Sequence, residues 1–143
     1  MYADPRYTFK MSKVIMVPFS HLVLNHSDIG LHRGRSWGFR DVFDFHTLRD
    51  LPFLKLATKV KHAYEGRAVP SHEGWPAQKD ALRWLVERGR DGIYALDAKG
   101  IKVSHQSYYS SDGNQRYYIS DGNHRALALY ILGDGEIRAR IRR

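Results

Sequence analysis

The stretch that most constrains the fold is residues 117–141, where a short polar segment separates an aromatic run from an apolar run. Residues 117–119 are typical of the end of a strand, because aromatic and β-branched side chains predominate. Residues 126–132 have the apolar spacing of a helix. From 136 to 142 apolar and basic residues alternate, which predicts a strand with one buried face. The stretch therefore predicts a strand, a tight turn at 120–125, a helix and a second strand.

The turn itself, Ser-Asp-Gly-Asn-His-Arg, favours an anion-binding site. A helix N-terminus exposes backbone N–H groups and carries partial positive charge, and a preceding glycine lets the backbone approach an anion. We expect Gly122 to form the turn, Asn123 to cap the helix, and Ser120 to belong to the same site. His124 and Arg125 oppose the helix dipole, and a bound anion would relieve that conflict. An ordinary turn followed by an exposed arginine remains the alternative.

The charge of the chain also favours an anionic partner. Lys and Arg number 23 against 15 Asp and Glu, which gives a formal charge of +8. Such an excess suits nucleic acid, a nucleotide or an acidic protein, although it also serves solubility. On the predicted last strand, Arg138, Arg140 and Arg142 could follow a DNA backbone. A solvated strand face is an equal alternative for these three residues.

Several classes of protein are excluded by what the sequence lacks. It has no cysteine, which rules out disulfides, thiolate metal sites and thiol catalysis. No apolar run approaches the roughly 20 residues of a membrane span, and the N-terminus has no apolar signal core. We therefore expect a cytoplasmic protein without a membrane partner. The length predicts a single domain at 14–143, with residues 1–13 as an N-terminal extension.

Apolar spacing along the rest of the chain predicts a mixed α/β domain. Strands are predicted at 14–24, with an interruption at Pro18, and at 93–96, 101–109 and 115–119, whereas helices are predicted at 51–64 and at 76–88 before Gly89. Residues 110–114 predict a hairpin turn, and residues 25–40 predict a loop.

Two segments carry a resemblance to a known family. Residues 120–141 (SDGNHRALALYILGDGEIRARI) resemble the signature loop of the ParB/sulfiredoxin-like superfamily, and residues 17–25 (VPFSHLVLN) resemble the opening of ParB N-terminal domains. The resemblance implies a small mixed sheet with flanking helices that binds a nucleoside triphosphate, ATP or CTP, together with Mg²⁺. It also implies that His124 and Arg125 hold the phosphates, while Gly122 and Asn123 supply backbone contacts.

Differences between this sequence and members of that superfamily exclude some of the superfamily's functions. Asn123 stands where sulfiredoxins have their catalytic cysteine, which excludes sulfinic acid reduction. ParB partition proteins continue into further domains, whereas this sequence ends at Arg143, so we do not expect centromere recognition. Other relatives, which act as stand-alone domains, imply a phosphohydrolase with ATPase activity, to which metal-dependent DNase activity could be added. A serine-type small-molecule kinase is one alternative, and a non-catalytic DNA- or protein-binding module of plasmid or phage origin is another.

A phosphohydrolase also needs a carboxylate near the phosphates. Asp121 and Glu65 are candidates for that role. The motif DVFDFH adds Asp41 and Asp44, with His46 beside them, and could hold Mg²⁺ or act as a general base. A solvated turn is the simpler interpretation of that motif, and the sequence establishes no metal site.

Overall fold

A computed structural model describes residues 13–24, 38–45, 48, 50–97, 100–105 and 114–141. These residues form a six-stranded sheet flanked by helices, so the prediction of a mixed α/β domain is confirmed. The strands are β1 (Lys13–Pro18), β2 (Leu22–Leu24), β3 (Leu51–Pro52), β4 (Ile101–His105), β5 (Tyr117–Asp121) and β6 (Glu136–Ile141). The helices are α1 (Phe39–Val42), α2 (Phe53–Tyr64), α3 (Trp75–Leu96) and α4 (Asn123–Ile131), and a 3₁₀ turn covers Phe19–His21.

The sheet has the strand order β1-β6-β4-β5-β2-β3. The pairs β1–β6, β4–β5 and β2–β3 are antiparallel, whereas β4–β6 and β2–β5 are parallel. The antiparallel pairing of β4 with β5 agrees with the predicted hairpin, although residues 110–113 of its predicted turn at 110–114 lie outside the described residues. The order leaves β5 in the interior of the sheet. The turn predicted at 120–125 is shorter than expected, because Ser120 and Asp121 end β5 and residues 123–125 already belong to α4, so that Gly122 alone connects the two.

Strand β6 alternates as predicted. Ile137, Ala139 and Ile141 are buried, while Arg138 and Arg140 are half-buried on the other face. The buried face packs into the core, where each fully buried aliphatic side chain contributes about 1.5–3 kcal/mol.

An aromatic cluster joins the helices to the sheet. Phe19, in the 3₁₀ turn between β1 and β2, stacks on Phe53 of α2 with ring centroids 5.1 Å apart. Tyr130 of α4 packs edge-on against Phe19 with centroids 5.5 Å apart. These contacts place α2 beside α4 and so set the direction in which α4 leaves the turn.

Some predicted boundaries were wrong. The helix predicted at 51–64 begins at Phe53, because Leu51 and Pro52 pair with β2 as strand β3. The strand predicted at 93–96 is helical, because α3 continues beyond a break at Gly89. Arg40, predicted to end a loop, lies in α1. Lys13, assigned to the extension, belongs to β1.

No helix within the described part of the chain is long and apolar enough to cross a membrane.

Candidate functional site

The predicted turn between a strand and a helix is present at the end of β5. Gly122 has the left-handed backbone angles φ 105° and ψ 27°, and α4 begins at the next residue. The first hydrogen bond of α4 runs from the Ala126 N–H to the Gly122 oxygen, at 2.9 Å. The N–H groups of residues 123–125 therefore have no partner within the helix, which makes this end of α4 suited to an anion.

Asn123 does not cap the helix, contrary to the prediction. Gly122 occupies the capping position, no side chain caps the helix end, and Asn123 is already the first helical residue. Its Oδ1 atom is buried and has no hydrogen-bond partner among the described residues. A capping side chain belongs to the residue that precedes the helix, from which it accepts a hydrogen bond from an N–H group two or three positions later. Asn123 lies one position too late for that role.

His124 is held in a defined orientation by two neighbours. Its Nε2 atom lies 2.7 Å from Oε1 of Gln78, which comes from α3 and is only 8% exposed. Its ring packs against Phe39 of α1, with centroids 4.9 Å apart and a 57° angle between the planes. Residues from two other helices thus fix the imidazole, which favours a binding role over that of a mobile surface side chain.

Arg125 shares a carboxylate with a second arginine. Its Nη1 atom lies 3.9 Å from Oδ2 of Asp97, and Nη2 of Arg140 lies 3.3 Å from the same oxygen. Two guanidinium groups therefore face one carboxylate in this cluster. The excess of positive charge attracts an anion to the side of Arg125.

The turn lines a cleft of about 740 Å³. All six predicted residues, 120–125, contribute to its lining, together with the buried polar side chains of Arg40 and Gln78. The rest of the lining is mainly apolar and consists of Leu24, Gly38, Phe39, Leu56, Ala81, Trp84, Leu85 and Leu96. The structure thus brings the predicted phosphate-binding residues together in one cleft.

No protein-family model, curated protein or solved structure matches this chain. The resemblance to the ParB/sulfiredoxin-like superfamily therefore stays a prediction. Inference about function depends on the residues of the cleft itself.

Of the four candidate catalytic carboxylates, Asp121 lines the cleft, at the end of β5. Glu65 lies beyond α2 and is exposed, and its hydrogen bond from Arg67 holds the pKa of its carboxyl below the ordinary value. Asp44 has a left-handed φ of 62° and lines a different cleft of about 630 Å³. Asp41 is half-buried in α1 and is not among the residues that line the first cleft.

Two of the three arginines predicted to contact DNA, Arg138 and Arg140, have partners inside the chain. The guanidinium of Arg138 lies over the ring of Tyr94, 4.3 Å from its centre, and the backbone N–H of Arg138 donates to the Tyr94 hydroxyl at 2.8 Å. Arg140 contacts Asp97, and Arg142 lies outside the described residues. Contact with DNA stays a prediction, and for Arg138 and Arg140 it would compete with these internal contacts.

Three residues of the cleft were missed by the sequence analysis. Arg40 is 1% exposed, and its guanidinium donates to the backbone oxygens of Leu24, at 3.2 Å, and Leu48. Gln78 was missed because a glutamine on a helix carries no pattern of its own. Trp84 could have been identified, because Arg88 follows it by four positions on a predicted helix. Side chains at that spacing are neighbours on a helix surface.

Proposed function

We propose that this chain binds a nucleoside triphosphate in the cleft, with the phosphates on residues 120–125. The observation that carries the proposal is the coincidence of the turn with the cleft. The left-handed Gly122, the first residues of α4, whose N–H groups have no partner within the helix, and Arg125 all line one cavity. Each of these features favours phosphate oxygens as ligands.

The size and lining of the cleft suit the remainder of a nucleotide. Ligand sites for small molecules are commonly about 300–1,000 Å³ and mostly apolar, with a few placed polar groups. The cleft of about 740 Å³ falls within this range.

We extend the proposal to hydrolysis of the triphosphate, with Asp121 as the assisting carboxylate. Among the described residues, which do not include His46, no group of three His, Cys, Asp or Glu side chains could hold a metal ion. The donor set therefore fits an Mg²⁺ ion that enters with the nucleotide and takes at most one carboxylate from the chain, since Mg²⁺ commonly combines one carboxylate with substrate phosphates. When bound, the ion would neutralise charge on the phosphates.

The binding proposal is tested by Arg125→Ala. The variant loses a charge-assisted contact worth about 1.5–3 kcal/mol, so we expect affinity for the triphosphate to fall roughly ten- to hundred-fold. Calorimetric titration with ATP, CTP and GTP in the presence of Mg²⁺ measures the change. Thermal melting should move little, because the partly exposed pair with Asp97 at 3.9 Å adds little stability.

Arg67→Ala is the matched control for that titration. Arg67 is exposed, pairs with Glu65 and does not line the cleft, so its removal deletes one charge without touching the site. An equal loss of affinity in both variants would mean that overall charge, rather than the turn, attracts the ligand. A wild-type chain that binds none of the three triphosphates would contradict the proposal.

Hydrolysis is tested by Asp121→Asn. We expect release of phosphate to fall by about 10²-fold or more, because a positioned acid or base contributes about 10²–10⁴ to a rate. Affinity for the nucleotide should change much less. Glu65→Gln, which alters a carboxylate away from the cleft, serves as the control. Phosphate release that survives Asp121→Asn unchanged would remove Asp121 from the proposed mechanism.

A further inference from the structure

Trp84 on α3 is a large apolar side chain that stays 51% exposed. The Arg88 guanidinium, one helical turn later, lies over its ring, 3.7 Å from the ring centre. This contact covers one face of the indole and restrains its orientation. The pair is therefore an ordered aromatic surface that remains partly open to solvent.

The Trp84–Arg88 contact differs in its position from an ordinary Trp–Arg contact on a helix surface. A Trp–Arg contact four residues apart can stabilise a helix modestly wherever it occurs. Trp84, however, lines the same cleft as residues 120–125, next to Leu85 and Leu96, whereas Arg88 does not line that cleft. The indole thus has the cation on one side and contributes to the cavity as well.

We propose that Trp84 is the stacking platform for the base of the nucleotide, and that the cleft prefers purine nucleotides. This inference rests on the proposed binding of a nucleoside triphosphate. Stacking of a base on an aromatic side chain contributes about 1–3 kcal/mol, and a purine offers a larger ring surface than a pyrimidine. The arginine contact holds the indole in place before the ligand binds, which reduces the entropy lost on binding.

The test is a calorimetric titration with ATP, CTP and inorganic tripolyphosphate, each with Mg²⁺, and the quenching of tryptophan fluorescence is followed in parallel. The wild-type chain should bind ATP more tightly than CTP, and both more tightly than tripolyphosphate. Trp84→Leu should lose roughly five- to hundred-fold of its affinity for ATP, because the stacking energy is about 1–3 kcal/mol. Its affinity for tripolyphosphate should be unchanged.

Two further variants complete the experiment. Trp84→Phe keeps an aromatic ring and should retain most of the preference for ATP, and it preserves the test if Trp84→Leu folds poorly. Trp75→Phe is the control for the signal, because Trp75 is 6% exposed, packs against Phe43 and does not line the cleft. The quenching on addition of ATP should persist in Trp75→Phe and disappear in Trp84→Phe.

The possible failures are distinguishable. Equal affinity of the wild type for ATP and tripolyphosphate would overturn the stacking role and leave the phosphate site standing. An equal loss of affinity for both ligands in a Trp84→Leu variant that thermal melting shows to be folded would do the same, since stacking predicts a loss confined to ATP. Binding of neither ligand by the wild type would overturn the proposed function and this inference with it.

Discussion

Gly122 holds the turn in a left-handed conformation and lies against a neighbouring strand. A β-carbon at this position would lie 3.1 Å from Cγ2 of Ile101, which belongs to β4. Both the backbone angle and the close contact therefore favour glycine. The absence of a side chain at Gly122 lets β5 lead into α4 without displacing β4, and so it sets the position of the first N–H groups of α4.

We predict that Gly122→Ala lowers the free energy of unfolding by about 1–3 kcal/mol, since a left-handed residue other than glycine costs about 1–2 kcal/mol before any crowding. Gly133→Ala is the matched control, because Gly133 has a similar φ of 96° and a β-carbon there would meet no described atom within 4 Å beyond its chain neighbours. Urea unfolding of both variants measures the difference. Equal losses would show that the contact with Ile101 is harmless.

Single residues of the site were predictable to different degrees. Gly122 was correctly predicted in the turn, and His124 and Arg125 in the first turn of the helix. The glycine and the change from a strand pattern to a helical pattern locate the start of a helix within a residue or two. Asn123 was misassigned because its capping role depends on whether the helix begins at residue 123 or one position later. A shift of one residue moves the side chain from the cap into the first turn, and local sequence alone does not resolve that step.

At the level of elements, helix α3 consists of two helical segments on either side of Gly89. The sequence predicts the boundary at Gly89 correctly, but it predicts a strand for part of the second segment. Gly89 has φ 74° and ψ 174°, angles that are essentially restricted to glycine, so the predicted end of a helix there has a physical basis. Residues 93–96 resume the helix instead of forming a strand. A four-residue apolar run fits either structure, so its pattern alone does not predict which one forms.

Tyr94 ties the second segment of α3 to strand β6. Its hydroxyl accepts a hydrogen bond from the backbone N–H of Arg138 at 2.8 Å. We expect Tyr94→Phe to lower the free energy of unfolding by about 1–3 kcal/mol, because the N–H group loses its partner in a partly buried setting. Chemical denaturation at neutral pH measures the loss. Tyr64→Phe is the control, and a similar loss in both variants would contradict the role of this bond.

The same variant has a second signature at alkaline pH. Burial raises the pKa of the Tyr94 hydroxyl above its ordinary value of 10.0. Folding therefore favours the protonated form, and its contribution to stability is complete below pH 10 and is lost as the pH rises through the pKa of the folded state. Stability of Tyr94→Phe should decline less steeply above pH 10 than that of the wild type. Burial also raises the pKa of Tyr64, so a residual decline should remain.

At the scale of the whole molecule, the cleft could not be predicted from any one segment. Its lining comes from the end of β2, from all four helices and from the turn after β5. Arg40 and the turn lie far apart in sequence, and they meet because Arg40 donates to the backbone oxygen of Leu24 at the end of β2, which pairs with β5. Patterns of apolar residues predict which elements form, whereas the contacts between distant elements depend on how the complete core packs.

The pairing of β1 with β6 has a consequence for the newly made chain. β1 lies at one edge of the sheet and joins it through β6, the last of the described strands in the chain. On the ribosome, β1 therefore emerges long before its partner, and its backbone groups cannot pair within the sheet until residues 136–141 have followed. An unpaired strand edge can pair with other chains. The interval between the emergence of β1 and that of β6 is thus when the nascent protein is most exposed to misassociation.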